Sequence, residues 1–158
     1  MNLNQFDSLL PPQMAERAAE IGVGKVTKDP MKSFLLAISA GIHIGIAFVF
    51  YTIVTTGAGD LPWGLTRLLG GLAFSLGLIL VVVTGGELFT SSVLTLVARA
   101  SGKITWKMLM KNWAVVYSGN LIGALLLVVC MLLTKQYMFD GGQVCLLYTS
   151  PSPRDRYG

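Results

Sequence analysis

The sequence predicts an all-α membrane protein: a unit of three transmembrane helices, the second of them broken. Three observations carry this. Hydrophobic residues make up 53% of the chain and charged residues only 13%, against roughly 25% charged in an ordinary soluble domain. The charges leave three long uncharged stretches, Ser33–Gly59, Leu68–Gly86 and Asn112–Thr134, each able to supply the roughly 20 helical residues that cross a bilayer core of about 30 Å. A fourth uncharged stretch, Leu88–Ala98, follows a glycine doublet and would reach only roughly 16 Å as a helix, too short to cross alone.

In chain order, residues 1–32 are polar and near-neutral, with Asp7, Glu16, Glu20 and Asp29 set against Arg17, Lys25, Lys28 and Lys32. Within them "PPQMAERAAEIG" reads as a short amphipathic helix, opened by Pro11–Pro12 and closed near Gly22. Met14, Ala15, Ala18 and Ile21 can share its apolar face and lie against a membrane surface or a partner. Nothing before Ser33 has the apolar core of a signal peptide. The transmembrane unit is expected over 33–143, with segments 33–57, 66–99 (broken near 85–90) and 106–136. Tyr51, Trp63 and Trp106 suit interfacial depth. Basic residues cluster before the first helix and at Arg99, Lys103, Lys107 and Lys111, so the positive-inside rule gives a cytoplasmic N-terminus. The pairs Gly41/Gly45, Gly71/Ser75 and Gly119/Gly123 have the spacing that lets helices approach closely. The tail "VCLLYTSPSPRDRYG", residues 144–158, reads as a translated cloning or adapter sequence and is set outside the fold.

Composition also narrows function. The net charge is +4, but its cations flank apolar runs instead of interleaving with aromatics, which argues against nucleic-acid binding. Cys130 and Cys145 form no disulfide framework and no metal spacing. No cofactor is implied.

The chemistry concentrates in "VVVTGGELFTSSVLTL", Val81–Leu96. From Leu68 to Ala98 one straight helix would run roughly 46 Å, well beyond the hydrocarbon core, so a break at Gly85–Gly86 is expected. Such a break is tolerated at membrane depth only where protein or a water-filled cavity surrounds it. The competing reading is a plain crossing followed by an interfacial helix. A break frees backbone N–H groups, which Thr90, Ser91 or Ser92 could cap. The half-helix beyond then aims a partial positive charge and hydroxyls at a small anion.

The stretches "FSLGLILVVVTGGELFTSSVLTLVARASGKITW" and "KNWAVVYSGNLIGALL" resemble the formate/nitrite transporter family, over about Phe6 to Gln143. The resemblance implies an aquaporin-like bundle made of two inverted three-helix halves, assembled as a homopentamer in the lipid of the bacterial inner membrane. Each protomer would conduct formate, with nitrite or hydrosulfide as related anions. It implies a gating loop at Gly85, Gly86, Glu87, Leu88, Phe89, Thr90 and Ser91. It also implies pore constrictions at Phe74, Leu78, Leu88 and Phe89, substrate contacts at Thr90 and Ser91, and a basic residue at the cytoplasmic mouth, Lys25. The family's second half, with its pore histidine, does not follow here, so the chain is expected to be one non-conducting half. His43 is not that histidine and is expected to be packed and neutral. Glu87, as an intramembrane carboxylate, is expected to face a cavity or pair with a base; placed near the cytoplasmic vestibule it would be hydrated and order the loop through its N–H groups. Two other readings stay open: a membrane proton relay or enzyme subunit using Glu87 and His43, and a purely structural membrane subunit.

Overall fold

The computed structural model describes residues 10–58, 61–142 and 144; Cys145 and the rest of the tail lie outside them. Six helices follow in order: α1 (Pro11–Thr27), α2 (Pro30–Thr55), α3 (Trp63–Thr84), α4 (Phe89–Ser92), α5 (Thr95–Ala100) and α6 (Trp106–Leu133), with a short 3-10 segment at Gln136–Gly142. Three of them, α2, α3 and α6, are long and apolar enough to cross a membrane.

The spans begin earlier than their uncharged stretches, and the starts of α2 and α6 are set by side-chain caps. Asp29 accepts a hydrogen bond from the Met31 N–H at 3.3 Å, and Pro30 opens α2 where a missing N–H costs nothing. Lys32 therefore rides on the first turn. Thr105 caps α6 from the Met108 N–H at 3.4 Å. Arg67, early in α3, lies over the Trp63 ring at 5.5 Å and donates to the Tyr51 hydroxyl. Its charge is thus accommodated at the end of the bundle where the exposed Trp63 sits.

Helix α2 is the centre of the unit, packed on α3 on one side and on α6 on the other. Glycines make both approaches close. A Cβ on Gly77 would meet Ala47 and the His43 carbonyl, and one on Gly119 or Gly123 would meet the backbone of α2. Gly41 and Gly45 face α6 in the same way. The pair Gly71/Ser75 makes no close approach among the described residues: nothing there lies near Gly71, and Ser75 is exposed. One residue is about 100° of helix rotation, so Gly70 and Gly77 take the α2 face and Gly71 turns away.

Helix α1 differs from expectation in length. It continues through Gly22 to Thr27. Gly22 is a close-approach position, not a stop: a Cβ there would lie 2.9 Å from the Ala98 Cβ and from the Leu94 carbonyl. The packed face is Ala19, Gly22, Val23 and Val26, set against Ala98, Ile104 and Leu109. Met14 and Ile21 remain exposed. The side-chain amide of Asn112, on α6, donates to the Lys25 carbonyl at 3.2 Å and holds the end of α1.

Candidate functional site at the helix break

Helix α3 stops at Thr84 through a glycine turn. Gly85 adopts φ 64°, a left-handed conformation that costs glycine nothing extra. Its N–H bonds to the Val82 carbonyl at 3.2 Å, and the Gly86 N–H bonds to the Val81 carbonyl at 2.8 Å. This pair of bonds is a Schellman motif, which satisfies the last carbonyls of a helix. The chain then docks on α2, where the Glu87 N–H reaches the Leu36 carbonyl at 3.3 Å. Leu88 is extended, at φ −100° and ψ 141°. Helix α4 begins immediately after it, followed by a turn and α5.

The hydroxyls do not cap this second start. Ser91 and Ser92 lie inside α4, and both bond to the Leu88 carbonyl, at 2.9 and 3.2 Å. Thr95 bonds to the Ser92 carbonyl at 2.6 Å. A hydroxyl one turn into a helix meets the carbonyl behind it sooner than a free N–H. The cap comes from α6 instead, where Asn120 Oδ1 accepts from the Phe89 N–H at 2.9 Å. The same amide group donates to the carbonyls of Ala37 and Glu87, each at 2.8 Å. Thr90 is exposed. Its hydroxyl has no hydrogen bond among the described residues.

Glu87 is 3% exposed, so the hydrated carboxylate expected from sequence is corrected to a buried one. Its two oxygens take the ammonium groups of Lys25 and Lys28, from the last turn of α1 and the residue after it. A buried carboxylate needs such partners, because an unpaired charge there is strongly destabilising. Lys25 also donates to Ser91 Oγ at 3.2 Å. The basic residue expected at the mouth therefore grips both sides of the break. Glu87 ties the loop to α1, and among the described residues no loop N–H bonds to its carboxylate.

The second half-helix has its polar and small residues inward, Ser92, Thr95 and Ala98 being buried, while Val93, Leu94 and Leu96 face out. The Trp113 indole holds it, donating to the Ser92 carbonyl at 3.1 Å and to Thr95 Oγ1 at 2.9 Å. Phe89 packs its ring edge-on against Trp113 and Tyr117, with centroids 5.6 Å apart in each case. Leu88 lies in the wall of a 540 Å³ cavity between α2 and α6, which Asn120, Gly45, Phe48 and Leu127 also line. Phe74 meets Phe48 edge-on at 6.4 Å. Leu78 is one turn further along α3 and exposed; neither it nor Phe74 borders the cavity. Leu88 is thus brought to an apolar cavity that the other expected constriction residues reach at most through Phe48. His43 has a buried Nδ1 without a partner among the described residues, and no hydrogen bond there links it to Glu87. No group of three or more His, Cys, Asp or Glu side chains suited to a metal occurs among the described residues.

Sequence reasoning missed Asn120 and Trp113 as parts of this site. The available signal for Asn120 was an amide near the middle of an uncharged stretch, since such a group must find partners.

A family model for the formate/nitrite transporter matches residues 12–149. The chain is 59% identical over 140 residues to the formate channel FocA of Escherichia coli (strain K12), covering 89% of this chain and 49% of that protein. It is 48% identical over 136 residues to the formate channel FocA of Haemophilus influenzae, covering 86% and 48%. A solved pentameric formate channel with formate bound matches with 74% identity and a TM-score of 0.69, over 74% of this chain and 46% of that one. The chain spans about half the length of the curated relatives it matches.

Proposed function

The chain belongs to the formate/nitrite transporter family, and from that premise we propose that it forms the broken-helix half of a membrane conduit for formate and related small monovalent anions. A second three-helix half supplies the opposite wall of the pore, and five protomers assemble. The observation that carries the reading is the break itself. A membrane-length helix ends at Gly85, and a hydrogen-bonded loop delivers Leu88 to an apolar cavity. Irregular backbone at membrane depth is otherwise expensive.

In this mechanism Phe74, Leu78 and Leu88 are apolar constrictions, with Phe89 backing the loop, and they exclude hydrated ions by dewetting. The Thr90 hydroxyl, exposed and without a hydrogen bond among the described residues, is available to a passing carboxylate. Ser91 contributes through its bond with Lys25. Residues Gly85 to Ser91 form the gate, tied to α1 through Glu87. The basic residues at the α1 and α5–α6 ends give a cytoplasmic N-terminus in a bacterial inner membrane.

Formate flux into proteoliposomes tests the reading. A protein carrying this chain together with a second three-helix half conducts, and Leu88→Ala and Thr90→Ala each change the flux. The chain alone does not conduct. Flux through the chain alone, or indifference to both substitutions, overturns the proposal.

A further inference from the structure

Asn120 sits within the third span, where a bare amide in lipid is costly and a bonded one is not. Its NH2 group faces two carbonyls, Ala37 and Glu87, and its oxygen faces the Phe89 N–H. Those partners fix which way round the amide stands. Two of them have a special relation. The Glu87 carbonyl belongs to the peptide plane before Leu88, and the Phe89 N–H belongs to the plane after it. One side chain therefore holds both peptide planes that flank a single residue, and together those planes set φ and ψ of Leu88. In an extended residue the preceding carbonyl and the following N–H point to the same side, so a single planar amide can satisfy both. Leu88 is extended, as this requires.

The third bond anchors the clamp to α2 through Ala37. One turn along, a Cβ on Gly41 would run into the backbone carbonyl of Asn120. The glycine thus sets the α2–α6 separation at which the amide reaches both the helix and the loop. The Glu87 N–H adds a bond to Leu36, on the same turn of α2. Leu88's side chain lines the apolar cavity, and its carbonyl accepts from Ser91 and Ser92 as the first turn of α4; the Asn120 amide supplies the bonds on the opposite edge of the backbone.

We propose that Asn120 is a positioning residue: its amide fixes the backbone of Leu88 and so aims that side chain into the cavity wall as the selective constriction. The proposal rests on the reading of Leu88 as a constriction given above. Its backbone component stands independently of the transported anion.

The test uses Asn120→Ala and Asn120→Asp, the latter keeping the acceptor for the Phe89 N–H while losing both donations. Hydrogen–deuterium exchange is measured on the chain in lipid bilayers. In Asn120→Ala the amides of residues 87–92 exchange at least roughly tenfold faster, with α2 and α6 unchanged; in Asn120→Asp the Phe89 amide keeps more of its protection than in the alanine variant. Where the alanine variant does not fold, the aspartate variant alone decides, through faster exchange at 87–88 with Phe89 protected. Unchanged exchange, or a rise spread evenly over α2 and α6, overturns the clamp. In a protein carrying the second half, the ratio of formate to acetate flux falls in Asn120→Ala; an unchanged ratio with a loosened loop overturns the link to selectivity. Local loosening in a protein that carries no formate even without substitution leaves the clamp standing and removes the formate reading instead.

Discussion

Removing the carboxylate of Glu87 separates α1 from the break, and the structure sets the size of the effect. Lys28 is one-third exposed along its side chain, so its pair with Glu87 contributes about 0.5–1 kcal/mol. Lys25 is 15% exposed and bonds Ser91 as well, which places its contribution at about 1.5–3 kcal/mol. Deleting Glu87 loses both and leaves the desolvated Lys25 ammonium against a neutral side chain, for a total of about 3 kcal/mol. With tenfold per 1.36 kcal/mol, Glu87→Ala raises the opening equilibrium of α1 by roughly a hundredfold. Lys25→Met, which keeps the apolar stem, raises it by roughly tenfold to a hundredfold, and Lys28→Met by less than about fivefold. Amide exchange across Pro11–Thr27, with α2 and α6 as internal references, reads all three. The ranking is the sensitive part. Equal effects of the two lysines, or a larger one at Lys28, would refute the assignment of the stronger pair to the more buried cation. No change in α1 with Glu87→Ala would refute the docking role altogether.

Three further outcomes follow from single positions. Gly85→Ala places a Cβ in open space but in a left-handed conformation, so it costs about 1–2 kcal/mol by backbone strain alone, measurable as a lower midpoint in detergent-mediated unfolding. Gly41→Ala drives a methyl into the Asn120 backbone and destabilises by about 1–3 kcal/mol, and thermal melting of the solubilised protein should show the loss. Trp113→Phe retains the ring contact with Phe89 but removes the donor to Ser92 and Thr95; exchange at residues 92–98 quickens by roughly fivefold to tenfold, matching about 1–1.5 kcal/mol.

Much of the architecture was legible because lipid enforces simple rules. Uncharged runs of sufficient length had to be spans, and a run too long for the bilayer had to break where glycine permitted it. The glycine doublet showed where. Gly22 misled because a glycine that ends a helix and one that admits a neighbour look alike in sequence; only the Ala98 methyl tells them apart. The hydroxyl cluster misled for a related reason. Its residues are adjacent to the break, so capping by them was the local expectation, whereas the actual cap lies 31 residues away on α6. The partners of Glu87 are 62 and 59 residues away. A buried carboxylate announces that it needs cations, but which cations is decided by how α1 folds back. That depends on Gly22, the residue read as the end of α1.

The bonds around the break fall into two sets with different physics. The glycine turn, the Leu36 carbonyl and the Asn120 amide are neutral groups, and every one belongs to α2, α3, α6 or the loop itself. They satisfy the backbone that interrupting a helix leaves open, and salt leaves them untouched. The second set is ionic: Lys25 and Lys28 on Glu87, with Lys25 also on Ser91. These bonds link the loop to α1, outside the three spans. Salt screens exposed charges far more than buried ones, so ionic strength acts on the pair of the one-third exposed Lys28 before the more buried Lys25 pair, and on either before the neutral bonds of the loop. The backbone around Leu88 is thus bonded to the spans through Asn120, and α1, a helix outside them, adds the ionic tie at Glu87 and Ser91. A substitution that loosens α1 without moving Leu88, such as Lys28→Met, separates the two roles; one at Asn120 moves Leu88 with α1 still attached.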